Sequence, residues 1–316
     1  MKILFIGLGS IGQRHLANAK KIFRKDSFFA LRIKNQKVLI KNLKSKNKVD
    51  LEKYYKIKIL KNYKSAIKLK PNLTFICNPS SKHLNDAIKF AKINSNLFIE
   101  KPLGRSRKLE KKLLKIVNKK KLITMVGYQS RYHPLVVKLK KMIDQKRYGK
   151  IIYGNFNFLT YLPNFHKYED YKLSYAAQKK LGGGVIDGLI HEIDLISYFF
   201  GLPIKHNSFK NNSNVIKINS DETFNSLMRF KNNSNFFEVF LRLSYVQKKE
   251  ERNISILFEK ALIKLCFIRN EIKIYLNKNL IQKKVKVNIS RNQIFFNQLK
   301  DFKKYFLAKK NPPTSI

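Results

Sequence analysis

The sequence of 316 residues predicts an α/β chain of two domains: a dinucleotide-binding domain over 1–124 and an α+β domain with an open, mainly antiparallel sheet over 125–316. Three observations predict this. A short apolar strand, Lys2-Ile3-Leu4-Phe5-Ile6, runs directly into Gly7-x-Gly9-x-x-Gly12. Strand and helix patterns alternate as far as residue 124, and beyond residue 150 the apolar period changes to two. With 44% hydrophobic residues, including 24 Phe and 15 Tyr, the chain fills more core than one domain usually needs.

The opening stretch reads as strand, tight turn and helix, because Ile11, His15, Leu16, Ala19 and Phe23 follow at helical spacing. Gly7 permits the turn, Gly9 leaves no side chain between backbone and a pyrophosphate, and Gly12 lets the helix lie close to the strand. Ser10 and Ile11 stand at the helix N-terminus, where backbone N–H groups face an anion. A glycine-rich turn without a ligand is the competing reading.

The formal charge of +47 is the composition's largest departure from the ordinary. Its lysines are dispersed, and the longest uninterrupted basic runs are three residues, such as Lys119-Lys120-Lys121. Specific nucleic-acid binding needs clustered cations with aromatic stacking partners, which this pattern lacks. The excess suits attraction for phosphorylated or nucleotide-linked substrates instead. Cys77 and Cys266 form no C-x-x-C or zinc spacing, no metal site is expected, and no apolar run reaches membrane length. The expectation is a cytoplasmic protein with reduced cysteines.

A second strand, Phe28–Ile33, ends where a dinucleotide fold reads the adenosine ribose. The residues there are Arg32, Lys34 and Asn35, with no acid to grip a ribose hydroxyl pair, so the expected cofactor is NAD(P) with a lean to NADP. Further strands are expected at Ile57–Leu60, Leu73–Cys77 and Asn96–Ile99, with short helices near Tyr63–Leu69 and after His83. Asn78-Pro79 stops its strand, because proline has no N–H for the ladder, and puts the loop to His83 at the carboxyl edge of the sheet. His83 is either part of that cofactor loop or a helix-start residue. Glu100-Lys101-Pro102 follows the next strand at the same edge, and an ammonium there can stabilise the alkoxide formed as hydride leaves. A surface ion pair is the alternative.

Gly7-x-Gly9-x-x-Gly12, Pro79-x-x-x-His83 and Glu100-Lys101-Pro102, in this order, resemble the glucose-fructose oxidoreductase/inositol dehydrogenase (Gfo/Idh/MocA) family of NAD(P)-dependent oxidoreductases. The segment Gly182-Gly183-Gly184-Val185-Ile186-Asp187-Gly188-Leu189-Ile190-His191 is similar to that family's glycine-rich entry to an active-site helix. Asp187 and His191, at i and i+4, fall on one face of a helix expected over 185–199, so the carboxylate can orient the imidazole. A core histidine is the competing reading of that spacing. The resemblance implies a Rossmann cofactor domain and hydride transfer between nicotinamide and a secondary alcohol or ketone of a sugar, sugar nucleotide or cyclitol. His191 is then the general base and Lys101 its partner across the cleft, with Glu100 beside the cofactor. An imine or carbonyl reductase on the same fold and a catalytically silent nucleotide sensor are the alternatives. A homo-oligomer, dimer or tetramer, is implied by the resemblance alone, and the form of the triple-glycine segment is similar to members in bacterial surface-sugar pathways.

Gly127–Pro134, which includes Arg131, resembles the family's linker into the second domain and leads to a helix with Leu135, Leu139, Met142 and Ile143 on one face. Period-two runs then appear at Phe237–Tyr245, Ile254–Phe258, Ile263–Phe267 and Val285–Ile289, the signature of an antiparallel sheet with one buried face. Tyr161, His166 and Tyr168 stand in an aromatic loop before the active-site helix, and with Arg131 they are the expected substrate contacts. The family commonly continues beyond a point like Asn311-Pro312-Pro313 with another helix, whereas this sequence ends at Ile316.

Overall fold

The protein is described from a computed structural model over residues 1–31, 38–41, 45–165, 169–232, 235–276 and 281–316. The first half contains β1 (Lys2–Ile6), α1 (Ser10–Ile22), β2 (Ser27–Leu31), β3 (Val38–Lys41), β4 (Ser45–Lys48), α2 (Leu51–Tyr55), β5 (Lys58–Leu60) and α3 (Tyr63–Lys68). It continues through β6 (Leu73–Ile76), α4 (His83–Lys92), β7 (Asn96–Ile99), α5 (Arg107–Lys120) and β8 (Thr124–Val126). Six strands form one parallel sheet in the order β5-β2-β1-β6-β7-β8, and β3 and β4 form a separate antiparallel pair. Counting the strands of that sheet alone, the order is 3-2-1-4-5-6, and it reverses between β1 and β6. That reversal opens a crevice at the carboxyl ends of the strands. Both faces are covered: Ile3 and Phe5 pack beneath α1, and Leu4 and Ile6 pack toward α4 and α5.

The second half begins with α6 (Pro134–Asp144), whose N-terminus is capped by His133 accepting the Leu135 N–H. β9 (Ile151–Tyr161), α7 (Val185–Gly188), α8 (His191–Phe200), β10 (Lys205–Asn211), β11 (Thr223–Asn232) and β12 (Asn235–Ser244) follow. β13 (Val246–Phe258), β14 (Leu262–Cys266), β15 (Glu271–Tyr275), β16 (Ile281–Lys286) and α9 (Arg291–Leu307) complete the chain. The eight-stranded sheet runs β10-β11-β12-β9-β13-β14-β15-β16 and is antiparallel at every pairing except β12 with β9. Its inner face, with Val239, Leu241, Ile254, Ile256, Ile263 and Leu265, packs on α6 and α8. The polar, fully exposed β10 and the short β15 carry little period-two signal and were not among the expected strands.

Residues 291–316 depart from the expected division. They follow the second sheet in sequence but pack on the first domain: Leu299 and Phe302 belong to the core beneath α1. The Val126 N–H donates to the Thr314 carbonyl at 2.9 Å, and the Ile316 N–H donates to Thr124 Oγ1 at 3.0 Å. The apolar stripe of α9 matches an open flank of the first domain, because the inner face of the second sheet is already covered. Phe302→Ala is therefore expected to lower stability by about 3–5 kcal/mol through the cavity it leaves. Urea unfolding followed by the tyrosine signal checks this, with an exposed change such as Leu307→Ala as the near-neutral control.

Candidate active site

A cleft of about 1580 Å³ lies between the carboxyl edge of the parallel sheet and the segments around α7 and α8. Three glycines shape one end of it. Gly7 has φ +89°, and a Cβ there would lie 3.0 Å from the Asn78 backbone; a Cβ on Gly12 would lie 2.2 Å from the Gly7 carbonyl oxygen. Gly9 differs: among the described residues nothing stands within 4 Å of its Cβ position, at the N-terminus of α1. Ser10 and Ile11 line the cleft there, and the first turn of α1 carries no acidic residue.

At the end of β6, Asn78 donates to Asp86 at 2.7 Å and leaves its buried Oδ1 without a partner. Pro79 begins a 3₁₀ turn, from which Ser80 reaches across the cleft to the Gly182 carbonyl at 3.3 Å. His83 is 1% exposed, with ring nitrogens 2.7 Å from the carbonyls of Pro102 and Asn78. Desolvation pushes its pKa down, and the two carbonyls and the carboxylates of Glu100 and Asp86 work against that shift. His83 therefore ties two strand-end loops together. It is also the first residue of α4 and lines the cleft.

After β7, Glu100 is 5% exposed and stands 2.6 Å from Nε2 of the fully buried His15. Its other oxygen accepts the Lys101 backbone N–H at 3.1 Å. The Lys101–Pro102 peptide is cis. The Lys101 ammonium crosses to the second domain and donates to the carbonyls of Gly188 at 2.9 Å and Asp187 at 3.5 Å. Desolvation is the largest influence lowering its pKa, opposed chiefly by Glu100.

The expected continuous helix over 185–199 is interrupted. α7 ends at Gly188, Leu189 leaves helical geometry (φ −106°, ψ 23°), and α8 restarts at His191. A Cβ on Gly188 would overlap the Tyr245 hydroxyl, 1.6 Å away, so glycine is required where Tyr245 packs. The break exposes the two carbonyls that Lys101 takes. It also separates Asp187 from His191, a correction to the predicted carboxylate–imidazole pair. Asp187 instead binds Arg105 Nε at 2.6 Å, and His191 Nε2 lies 2.8 Å from the Gln129 amide nitrogen. Burial raises the Asp187 carboxyl's pKa against the pull of Arg105. The His191 pKa lies well below its ordinary value, first by burial and then by the charges of Lys101, Arg252 and Arg291.

Other expected contacts fall elsewhere. Arg131 gives Asp194 two hydrogen bonds, 2.9 and 2.6 Å, stacks over Tyr198 and does not line the cleft, so its predicted substrate contact is not realised. Tyr161 does line it. Arg32, His166 and Tyr168 lie outside the described residues. Sequence reasoning missed His15, Arg105, Gln129, Tyr175 and Arg252, which reach the site from segments far apart in the chain. Arg252 donates to Glu192 at 2.7 Å and to Ser130 at 3.1 Å, between the rings of Phe158 and Phe267. Tyr175, whose hydroxyl lies 3.3 Å from Ser80, has its pKa pushed up to about 12 by burial.

Comparison with known proteins adds the family. A model described as "Oxidoreductase family, NAD-binding Rossmann fold" matches residues 1–128, and a GFO/IDH/MocA C-terminal domain model matches 136–264. The chain belongs to the GFO/IDH/MocA family. Levoglucosan dehydrogenase of Pseudarthrobacter phenanthrenivorans is 31% identical over 128 residues, covering 40% of this chain and 32% of that protein. The scyllo-inositol 2-dehydrogenase (NAD(+)) of Bacillus subtilis is 30% identical over 134 residues, 41% of this chain and 35% of that protein. These matches span about a third of each relative's length. A levoglucosan dehydrogenase solved in complex with NADH and levoglucosan has the same fold, with a TM-score of 0.82 at 18% identity, covering 100% of this chain and 92% of that one.

Glu192 is fully buried, so loss of Arg252 would leave a carboxylate without its cation. Arg252→Met is expected to cost about 3–5 kcal/mol. Adding Glu192→Gln should restore much of it, a non-additivity that thermal melts of the two singles and the double measure.

Proposed function

We propose that the protein is an NAD(P)-dependent dehydrogenase or reductase acting on a secondary alcohol or ketone of a sugar, sugar nucleotide or cyclitol, in the cytoplasm. The observation that carries this reading is the meeting of Lys101 and the α7–α8 break, beside His191, in the cleft that begins at the Gly7–Gly12 turn. The residues present fit a dinucleotide: the bare space at Gly9 accommodates a pyrophosphate, and the open N–H groups of the first turn of α1 suit its charge. Gly7, Gly9, Ser10, Ile11 and Gly12 would hold it, with Asn78, Pro79 and Glu100 shaping the rim. When bound, the nicotinamide supplies hydride acceptance or donation.

The chain supplies the proton chemistry. A histidine with a depressed pKa is neutral at pH 7 and accepts the hydroxyl proton. The Lys101 ammonium, turning from the Gly188 carbonyl toward substrate, would stabilise developing negative charge on oxygen. Tyr161 and Tyr175 offer ring faces and hydroxyls to a sugar. The lean to NADP rests on Arg32, and a role in surface-sugar metabolism rests on the form of the triple-glycine segment. Pairing into a homo-oligomer is supported by the outer sheet face, where Phe209, Leu227, Phe236, Phe240 and Tyr153 are exposed on adjacent strands.

Fluorescence titration with NADH and NADPH should give saturable binding, with Arg32→Asp weakening NADPH more than NADH. A panel of sugars, cyclitols and nucleotide sugars, followed by nicotinamide absorbance, should reveal a substrate. Lys101→Ala and His191→Ala should each lower kcat by about 100-fold or more while dinucleotide binding persists. Binding without turnover on any substrate would favour a sensor, and turnover that survives both changes would defeat the catalytic assignment. Because burial lowers the His191 pKa, activity in the oxidative direction should hold as pH falls to about 6.5 and drop only below it.

A further inference from the structure

We infer that His15 is a positioning residue for the proposed reaction: from the helix at the Gly7–Gly12 turn, its imidazole fixes the Glu100 carboxylate that accepts the Lys101 backbone N–H. The inference rests on the reading of Lys101 as the catalytic ammonium. The geometry is specific. His15 Nε2 and Glu100 Oε1 stand 2.6 Å apart across 85 residues of sequence, at 0% and 5% exposure. The imidazole is enclosed edge-on by Phe98 at 4.9 Å and Phe295 at 5.5 Å, so the returning helix α9 seals the pair from water. Gly127 closes the other side, since a Cβ there would lie 3.0 Å from Glu100 Oε1. Glu100 then holds the Lys101 backbone N–H with its second oxygen.

Lys101 is faced by Glu100 from its own loop, by Asp187 and Glu192 from α7 and α8, by Arg291 from α9, and by His191. Of the three carboxylates, Asp187 is bound by Arg105 and Glu192 by Arg252, each a permanent cation. Glu100 is partnered by an imidazole, and so its charge is the least cancelled at the ammonium. Cys77 just after β6, His83 on α4, Tyr128 and Tyr175 also feel that charge. Without the His15 donor, Glu100 would be a buried carboxylate short of one hydrogen bond. The carboxylate would no longer be held in place, and its support for the charged lysine would be lost.

The test is a titration of Lys101 itself in the ligand-free protein, by NMR after ¹³C reductive methylation, with the signal assigned by its loss in Lys101→Arg. His15→Phe should lower the pH of half-protonation of Lys101 by about one pH unit or more, a tenfold change. His15→Gln, whose amide can still donate to Oε1, should leave it near the wild-type value, and Glu100→Gln should move it in the same direction as His15→Phe. A folded His15→Phe protein with an unmoved titration, or equal shifts in the Phe and Gln variants, would overturn the inference. If His15→Phe does not fold, Glu100→Gln decides, and an unmoved titration there overturns it. Turnover surviving in Lys101→Ala would defeat the catalytic reading while leaving the titration result intact, so the two failures are distinguishable.

Discussion

The interruption between α7 and α8 is the constraint on which the rest of the site depends. An unbroken helix would keep the carbonyls of Asp187 and Gly188 inside its own ladder. Ending α7 at Gly188 frees them, and the Lys101 ammonium takes both, tying the post-β7 loop of the parallel sheet to the second domain. Gly188, the last residue of α7, is itself fixed by packing. Tyr245, fully buried on the inner face of the sheet, occupies the space where any side chain at residue 188 would stand. Sheet packing thus sets the position of α7, and α7 sets where the ammonium rests.

A second consequence concerns Asp187. Once the helix is broken, the i, i+4 relation to His191 no longer brings the two side chains together. The carboxylate turns to Arg105, four residues beyond Lys101, while the imidazole meets Gln129 in the linker into the second domain. The first of these contacts crosses between the domains. Ser80 to Gly182 is another hydrogen bond across the cleft, so a change in domain angle would alter these contacts along with the cleft's volume.

Much of the fold was legible because its signals are local. Gly7, Gly9 and Gly12 sit between a strand and a helix, and the β12 and β13 runs alternate cleanly. That Lys101 and His191 would face one cleft was expected from spacing and family resemblance together, and both line it. What could not be read is long-range. His15 falls at a helical core spacing and gives no sign that its neighbour is a carboxylate 85 residues away. Nor does Arg131 reveal that Asp194 will claim both of its donors. The helix break was hidden because Leu189-Ile190 continue the apolar helical pattern, and the contact of Tyr245 with Gly188 comes from a segment distant in sequence. The return of α9 to the first domain was equally hidden, since an amphipathic stripe does not specify which surface it covers.

The composition bears on the site in a way that net charge alone conceals. The chain has 67 Lys and Arg against 20 Asp and Glu, so a carboxylate is scarce and cations surround every surface. Yet among the described residues Asp86, Glu100, Asp187, Glu192, Asp194, Glu222 and Glu271 are buried, and no lysine or arginine is. Burying a carboxylate is costly unless it is paired or hydrogen-bonded, and all seven have such partners. Four of them, Glu100, Asp187, Glu192 and Asp194, lie on the strand-end loop or the α7–α8 segment. More than half of the buried carboxylates thus stand where a fixed negative charge orients a donor, while the surface excess of lysine contributes only a long-range field that salt screens within about 10 Å. The local chemistry of the cleft is set by those few paired carboxylates, and the +47 charge can at most raise the concentration of an anionic ligand at its mouth.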